Sequence, residues 1–310
     1  MHEDPRMSRT EWGLLLILSV LWDGSFFCSK VAVSGLPPLT IVFLRFSAAS
    51  LLVYAYLRAG GGAVPRQPEA LVSFAGMGLL NNLIPAGLIV WGQTMIPSGL
   101  ASVLIATTPI FSILATRCTD TGERLTPGKM AGMAFGLLGT AILFGVSNAD
   151  STKSFATGIA ACLGAAISYG CANAFGRRFR RFGITPVQGA FGQMMATSVM
   201  ALPLMLALDA PWRLVVPGME VWAAMAGLVV LSTALGYIIF FRILSGAGAT
   251  NVSLVTLLIP ISAILLGSGV LGETLSATQL SGMLLIAFGL ITIDGRAMGL
   301  LQRLAVSRPP

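Results

Sequence analysis

The sequence predicts an all-α integral membrane protein with ten transmembrane helices, arranged as two inverted five-helix repeats around a central cavity. Three observations predict this: an apolar composition, ten apolar stretches of membrane-spanning length, and an internal repeat. Of 310 residues, 55% are apolar and only 10% are Asp, Glu, Lys or Arg, against roughly 25% charged in soluble domains. Mean hydropathy is +0.85. This composition excludes a cytosolic enzyme, a disordered protein and a secreted disulfide scaffold.

The apolar stretches are separated by turn residues such as Pro37-Pro38 and Gly60-Gly61-Gly62. A bilayer core needs about 20 apolar residues per helix, and the predicted spans are 12–34, 39–57, 70–93, 98–117, 126–146, 156–176, 185–208, 219–242, 248–270 and 276–294. The first repeat is expected over 12–147 and the second over 155–294. The flanking segments, 1–11 and 295–310, are predicted to be cytoplasmic tails, the latter basic.

The Lys and Arg residues indicate the orientation of the spans. With the N-terminus in the cytoplasm, fifteen lie on the inner side and three, Lys30, Lys153 and Arg213, on the outer side. Because cytoplasmic loops carry the excess of positive charge, both termini are predicted to be cytoplasmic. The net charge of +7 is thus spread over short inner loops, which argues against a nucleic-acid partner.

The two halves of the chain repeat each other. Residues 99–109 resemble 248–260; Gly122-Glu123 follows the first stretch and Gly272-Glu273 the second, at offsets of 149 to 151 residues. Five spans is an odd number, so the second copy must enter the membrane from the opposite side. The loop around Glu123 carries Lys and Arg and the loop around Glu273 carries none, as an inverted repeat requires. Inverted repeats recur in secondary transporters, with the substrate site near the bilayer midplane.

Polar side chains near the midplane come mainly from spans 1, 3, 4, 6, 8 and 9, whereas spans 2, 5, 7 and 10 have fewer. Each could line a cavity or form a helix–helix hydrogen bond, because an unsatisfied polar group in hydrocarbon costs several kcal/mol. The candidate cavity residues are Trp22, Asp23, Asn82, Thr108, Ser168, Tyr169, Asn173, Thr233, Tyr237, Ser253 and Thr256.

Two further pairs have distinct predicted roles. Pro109 and Pro260 are repeat counterparts in mid-helix, where proline removes a backbone hydrogen bond and favours a kink. They are candidate hinges, with a static kink as the alternative. Arg45 lies inside span 2 and is expected to form a structural ion pair with Glu273 or to snorkel outward, rather than to contact a substrate.

The chain has few residues suited to catalysis or metal binding. Its one histidine, His2, lies in the N-terminal tail, and its four cysteines lack metal-ligand spacing. It also has no GxxxxGK[ST] loop for a nucleotide. We therefore expect no enzymatic activity, no metal and no cofactor. The expected partners are a small-molecule substrate and the lipid bilayer, and the protein is expected to act as a monomer.

Several motifs resemble those of a known family. They are Leu21-Trp22-x-Gly24-Ser25-Phe26, Phe43-Leu44-Arg45-Phe46, and a proline followed by Gly-Glu in each half. They resemble the drug/metabolite transporter superfamily, EamA-type branch, and within it bacterial exporters of amino acids and related metabolites. The resemblance implies a ten-helix basket around a cavity lined by spans 1, 3, 4, 6, 8 and 9, working by alternating access. Asp23 departs from the family, where this position is usually small.

The sequence therefore favours an inner-membrane secondary transporter that exports amino acids or similar small metabolites. One alternative is a proton-coupled exporter of cationic drugs that uses Asp23, since an ionised carboxylate at mid-bilayer is costly and can exchange a proton for a cation. A receptor or an intramembrane enzyme is a third possibility, but no convincing nucleophile–base pair supports it.

Overall fold

A computed structural model describes residues 8–117, 127–145, 152–240, 242–243, 255, 258 and 276–294. All regular structure in these ranges is helical. The main helices are α1 (Arg9–Ala32), α2 (Pro38–Ala59), α3 (Pro68–Gly92), α4 (Ser98–Ile105 and Thr108–Arg117), α5 (Pro127–Gly145), α6 (Thr152–Phe175), α7 (Pro186–Asp209), α8 (Met219–Phe240) and a last described helix, Ala277–Asp294. A short helix, Arg177–Arg181, follows α6.

Seven of the described helices are long and apolar enough to cross a membrane: α1, α2, α3, α4, α6, α7 and α8. The predicted ranges of spans 1 to 8 and of span 10 agree with helix bounds to within about one turn. Span 9, predicted at 248–270, lies largely outside the described residues. The described part of the chain is thus all-helical, with seven helices of membrane-spanning length.

Local sequence signals explain where several helices begin. Ser8 and Glu11 form a capping box at the start of α1, where each side chain accepts a hydrogen bond from the other residue's backbone N–H. Thr185 and Gln188 do the same for α7. Such caps satisfy backbone donors that a helix leaves unpaired at its first turn.

Three helices contain wider, π-helical turns. They lie at Gly78–Leu83 in α3, Met205–Asp209 in α7 and Gly227–Leu235 in α8. The first and third coincide at the repeat offset of about 150 residues and carry polar residues in both halves. π-Helical turns occur frequently at functional sites, so the middle of α3 and the middle of α8 are candidate positions for such a site.

The helices pack through apolar clusters and present apolar side chains outward. One cluster joins α2, α3 and α7 through Val42, Phe46, Leu83 and Met194. Outward-facing residues such as Leu51, Val199 and Leu208 are 64%, 65% and 71% exposed. Exposed apolar side chains at this density would promote association in water, whereas they suit contact with lipid.

Glycines bring α5 and the last described helix into backbone contact. A Cβ on Gly139 would lie 2.6 Å from the Gly282 carbonyl oxygen, and one on Gly289 would lie 2.6 Å from the Gly132 carbonyl oxygen. The early glycine of each helix therefore faces the late glycine of the other, so the two helices run antiparallel. These four glycines occupy matching positions in the sequence repeat.

Candidate functional site

Arg45 forms a polar contact between α2 and α8 inside the bundle. Its Nε donates a 2.9 Å hydrogen bond to the Thr233 hydroxyl, which in turn donates to the Leu228 carbonyl oxygen at 2.7 Å. The Arg45 Cζ also lies 5.4 Å from the centre of the Phe46 ring. Thr233 belongs to the π-helical turn of α8. This turn therefore fixes the hydroxyl that holds the guanidinium.

Two tyrosines complete the surroundings of Arg45. Its charge interacts electrostatically with the phenols of Tyr169 on α6 and Tyr237 on α8, and with the Cys28 thiol on α1. Arg45, Tyr169 and Tyr237 are each only partly buried. Because they lie between packed helices, this residual exposure is consistent with an internal cavity rather than with the outer surface.

An aromatic and amide cluster extends this site. Trp22 stacks on Phe240 at 5.5 Å between ring centres and meets the Tyr237 ring edge-on at 6.4 Å. Tyr237 also lies near Asn81, whose amide donates to the Gln193 side-chain oxygen at 3.0 Å. The structure thus brings together the predicted residues Trp22, Tyr169, Thr233 and Tyr237.

Sequence reasoning does not select Asn81 or Gln193 as site residues. Gln193 is 4% exposed and lies on α7, a helix whose sequence has few polar groups at that depth. Gln193 could have been selected from the sequence, because an amide in a membrane-spanning helix needs a hydrogen-bond partner. Only the packing of α3 against α7 reveals that Asn81 provides it.

Four polar side chains have buried atoms without a hydrogen-bond partner among the described residues. The atoms are both carboxylate oxygens of Asp23, the amide nitrogen of Asn82, the side-chain oxygen of Gln93 and the hydroxyl of Ser232. Asp23 is 1% exposed and Asn82 2% exposed. Asn82 and Ser232 belong to the π-helical turns of α3 and α8. Such groups are costly to bury unpaired, which distinguishes them from side chains that simply join helices.

Other predicted residues make local or inter-helix hydrogen bonds instead. Ser168 donates to the Leu80 carbonyl oxygen at 2.7 Å, and Thr108 donates to the Ile105 carbonyl oxygen at 2.6 Å. Asn173 is exposed and donates to the Ser112 hydroxyl at 2.9 Å. These contacts fit hydrogen bonding within a turn or between helices, which is the alternative role predicted for such residues.

Pro109 lies at an interruption rather than within a continuous helix. The first part of α4 ends at Ile105, and Pro109 is the second residue of the second part, Thr108–Arg117. Proline is well tolerated in a first helical turn because its missing N–H would be unpaired there. Four predicted residues lie outside the described residues: Ser253, Thr256, Pro260 and Glu273.

Lys30 joins the carboxyl end of α1 to the turn after α3. Its Nζ donates to the backbone carbonyl oxygens of Gln93 and Ile96 at 2.5 and 3.0 Å. A cation at the carboxyl end of a helix is favourable because that end carries unpaired carbonyl oxygens. Within the described ranges, no three His, Cys, Asp or Glu residues are grouped to hold a metal ion.

Comparisons with known proteins identify the family of this chain. The model of the EamA-like transporter family matches residues 11–145 and again 156–293. The chain is 27% identical to the uncharacterized inner membrane transporter YedA of Escherichia coli (strain K12), over 91% of this chain and 90% of that protein. A protein of known crystal structure has a TM-score of 0.64 at 22% identity, covering 92% of this chain and 98% of its own. That similarity supports the fold alone.

Two relatives carry more specific names. The chain is 28% identical to a probable amino-acid metabolite efflux pump of Salmonella typhimurium, over 92% of this chain and 94% of the relative. It is 26% identical to a probable terminal-alkyne amino-acid exporter of Streptantibioticus cattleyicolor, over 95% of this chain and 96% of the relative. The family predicted from the sequence motifs is confirmed: the chain belongs to the EamA-like transporter family and is a multi-pass membrane transporter.

Proposed function

We propose that this transporter exports amino acids or similar small metabolites across the inner membrane by alternating access. The observation that carries the proposal is the cluster of Arg45, Tyr169, Thr233 and Tyr237 from three helices of both halves of the chain. A mainly apolar bundle with a few convergent polar groups is the usual form of a small-molecule site. The names of the Salmonella and Streptantibioticus relatives support amino acids as the substrate class.

The proposed architecture has ten spans in two inverted repeats, with both termini in the cytoplasm. The antiparallel contact of the matched glycines in α5 and the last described helix supports inversion, because a direct repeat would make these helices parallel. The matched π-helical turns of α3 and α8 support the repeat itself.

Thiol labelling tests this topology. Single cysteines at positions 65, 120 and 180, placed in a chain without its native cysteines, should be shielded from impermeant thiol reagents in intact cells. Single cysteines at positions 36, 151 and 213 should be labelled. The reverse pattern would invert the orientation, and labelling of both sets would reject the ten-span arrangement.

The proposed cavity is centred on Arg45, Tyr169 and Tyr237. Asn82 contributes from α3, and Ser253 and Thr256 are proposed to contribute from the ninth span. Pro109 and Pro260 are proposed to act as hinges at opposite mouths of the cavity. The interruption of α4 before Pro109 supports a flexible point in that helix.

Uptake into inside-out vesicles tests the function. Vesicles that contain the transporter should accumulate radiolabelled amino acids above the level of vesicles without it. Asn82→Ala and Tyr169→Ala should lower uptake while the folded amount stays constant. Arg58→Gln is a matched control, because Arg58 is exposed at the inner end of α2, and it should transport normally. Wild-type uptake by both cavity variants would remove these residues from the site.

The second candidate is proton-coupled export of cationic drugs through Asp23. The observation that favours it is a buried carboxylate without a hydrogen-bond partner among the described residues. Against it, Asp23 is 1% exposed, and the Arg45 guanidinium is the charge that borders the proposed cavity. Accumulation of quaternary ammonium compounds in the same vesicles, without amino-acid uptake, would favour this candidate.

A further inference from the structure

We infer that Arg45 binds the carboxylate of the transported molecule, so that the site selects zwitterions or anions and rejects cations. This inference rests on the proposed function and adds the chemical group by which the substrate is recognised. It also assigns Arg45 a role other than the structural ion pair that its position in the sequence suggests.

The first support is the geometry of the guanidinium. Arginine has five N–H donors in one plane, and Nε is directed to the Thr233 hydroxyl at 2.9 Å. No other described residue accepts a hydrogen bond from Arg45. The N–H groups on its two terminal nitrogens have no acceptor among the described residues, and two of them form an edge that can bind a carboxylate bidentately. Thr233 holds the Nε side of the guanidinium, and the Leu228 carbonyl oxygen holds the Thr233 hydroxyl.

The second support is the charge balance around Arg45. A cation within a membrane-spanning helix is costly unless it is paired or faces a cavity. Among the described residues its electrostatic partners are two phenols and a thiol, with no carboxylate. A carboxylate that enters from the substrate would supply a negative charge that the described neighbours of Arg45 do not. A guanidinium with these neighbours would repel a cationic substrate.

The third support is the shape of the surrounding wall. The phenols of Tyr169 and Tyr237 interact electrostatically with Arg45, and the Trp22 ring meets the Tyr237 ring edge-on. A carboxylate at Arg45 would therefore leave the rest of a small molecule against aromatic rings. Aromatic faces also attract an ammonium group, which suits the other charge of an amino acid.

Transport of matched acids and amides tests this inference. The full-length transporter is reconstituted in proteoliposomes and given either ¹⁴C-labelled proteinogenic amino acids or the same compounds as α-carboxamides. Wild-type protein should transport the acids at least about tenfold faster than the amides, because a bidentate hydrogen bond to a charged group is lost. Arg45→Gln should lower acid transport by about the same factor and should not lower amide transport, because the cationic amide loses only a repulsion. Arg45→Lys should lie between them, and Arg58→Gln should match wild type.

The remaining outcomes separate the alternatives. Equal transport of acids and amides by the wild type, or an equal loss of both in Arg45→Gln, would overturn the inference. If neither mixture is transported by the wild type, the proposed function fails and the inference fails with it. Thermal unfolding identifies variants that do not fold. If Arg45→Gln does not fold, the acid-to-amide transport ratio of Arg45→Lys tests the inference instead. If Glu273→Gln destabilises the protein as much as Arg45→Gln, and the acid-to-amide ratio is the same in all variants, Arg45 is a structural ion-pair residue.

Discussion

The Nε atom of Arg45 on α2 donates a 2.9 Å hydrogen bond to the Thr233 hydroxyl on α8. This contact joins a charged residue of the first half of the chain to a π-helical turn of the second half. Thr233 is 1% exposed, so the bond is shielded from water. The orientation of the guanidinium therefore depends on one hydroxyl group.

Replacing Thr233 should weaken substrate binding without removing the positive charge. Thr233→Val keeps the side-chain shape but cannot accept the bond from Arg45, so KM for export should rise by about tenfold. Thr233→Ser keeps the hydroxyl and should stay within about threefold of wild type. Concentration-dependent uptake in proteoliposomes measures both values. An equal KM for the valine and serine variants would show that this hydrogen bond does not orient Arg45.

The amide pair between α3 and α7 should contribute to stability. Asn81 donates to the Gln193 side-chain oxygen at 3.0 Å, and removal of either partner leaves a polar group unpaired within the bundle. Asn81→Ala and Gln193→Ala should each lower the free energy of unfolding by about 1–3 kcal/mol. The double variant should lose less than their sum, with a coupling of about 0.5–3 kcal/mol. Strict additivity in denaturant unfolding would mean that the two amides do not interact.

The glycine contacts between α5 and the last described helix should not tolerate a methyl group. Gly139→Ala and Gly289→Ala each place a Cβ 2.6 Å from a carbonyl oxygen of the partner helix. Each should destabilise the protein by about 1–3 kcal/mol because backbones must separate. Gly87→Ala is the control, since a Cβ there would have no other atom within 4 Å.

The size of the two glycine effects is also informative. Because Gly139 and Gly289 make equivalent contacts in the two halves, their changes in thermal unfolding should be similar. A large effect at one position alone would contradict the matched packing. An effect of the same size in Gly87→Ala would mean that the losses at Gly139 and Gly289 do not come from inter-helix contact.

Asp23 should destabilise the folded protein and should have no role in transport. Both of its carboxylate oxygens are buried without a hydrogen-bond partner among the described residues. Asp23→Ala should therefore raise the free energy of unfolding by about 1–3 kcal/mol. Ser19→Ala is a control on the same helix, because the buried Ser19 hydroxyl already donates to the Leu16 carbonyl oxygen at 2.8 Å. It should not stabilise the protein.

The transport of Asp23 variants distinguishes the two candidate functions. Asp23→Asn and Asp23→Gly should keep both the rate of amino-acid export and its dependence on an imposed pH gradient. Loss of that pH dependence in both variants, with the folded amount unchanged, would instead assign proton coupling to Asp23 and favour the cationic-drug exporter.

Hydropathy and charge predict most helices of this protein because both patterns are local. The bounds of α2, for example, agree with the predicted range 39–57 to within two residues at either end. Polar residues such as Thr233 and Tyr237 could also be predicted, because they interrupt an apolar pattern.

Contacts between distant helices could not be predicted in the same way. The partner of Arg45 depends on the rotation of α2 against α8, and the pairing of Asn81 with Gln193 depends on the register of α3 against α7. No local pattern encodes either. Asn173 shows that a polar residue near mid-span need not face a cavity. Its position in the sequence suggests a cavity residue, but its amide donates a hydrogen bond to Ser112 in a neighbouring helix.

Direct ligand binding to purified transporter tests most directly whether the cluster around Arg45 is the substrate site. A mixture of proteinogenic amino acids should raise the unfolding temperature of the wild type and of Arg58→Gln. The stabilisation should approach about 2.7 kcal/mol when the bound amino acid is at roughly 100 times its Kd. The same mixture should not stabilise Arg45→Gln, although that variant remains folded. An equal rise in Arg45→Gln, or no rise in the wild type, would contradict the account.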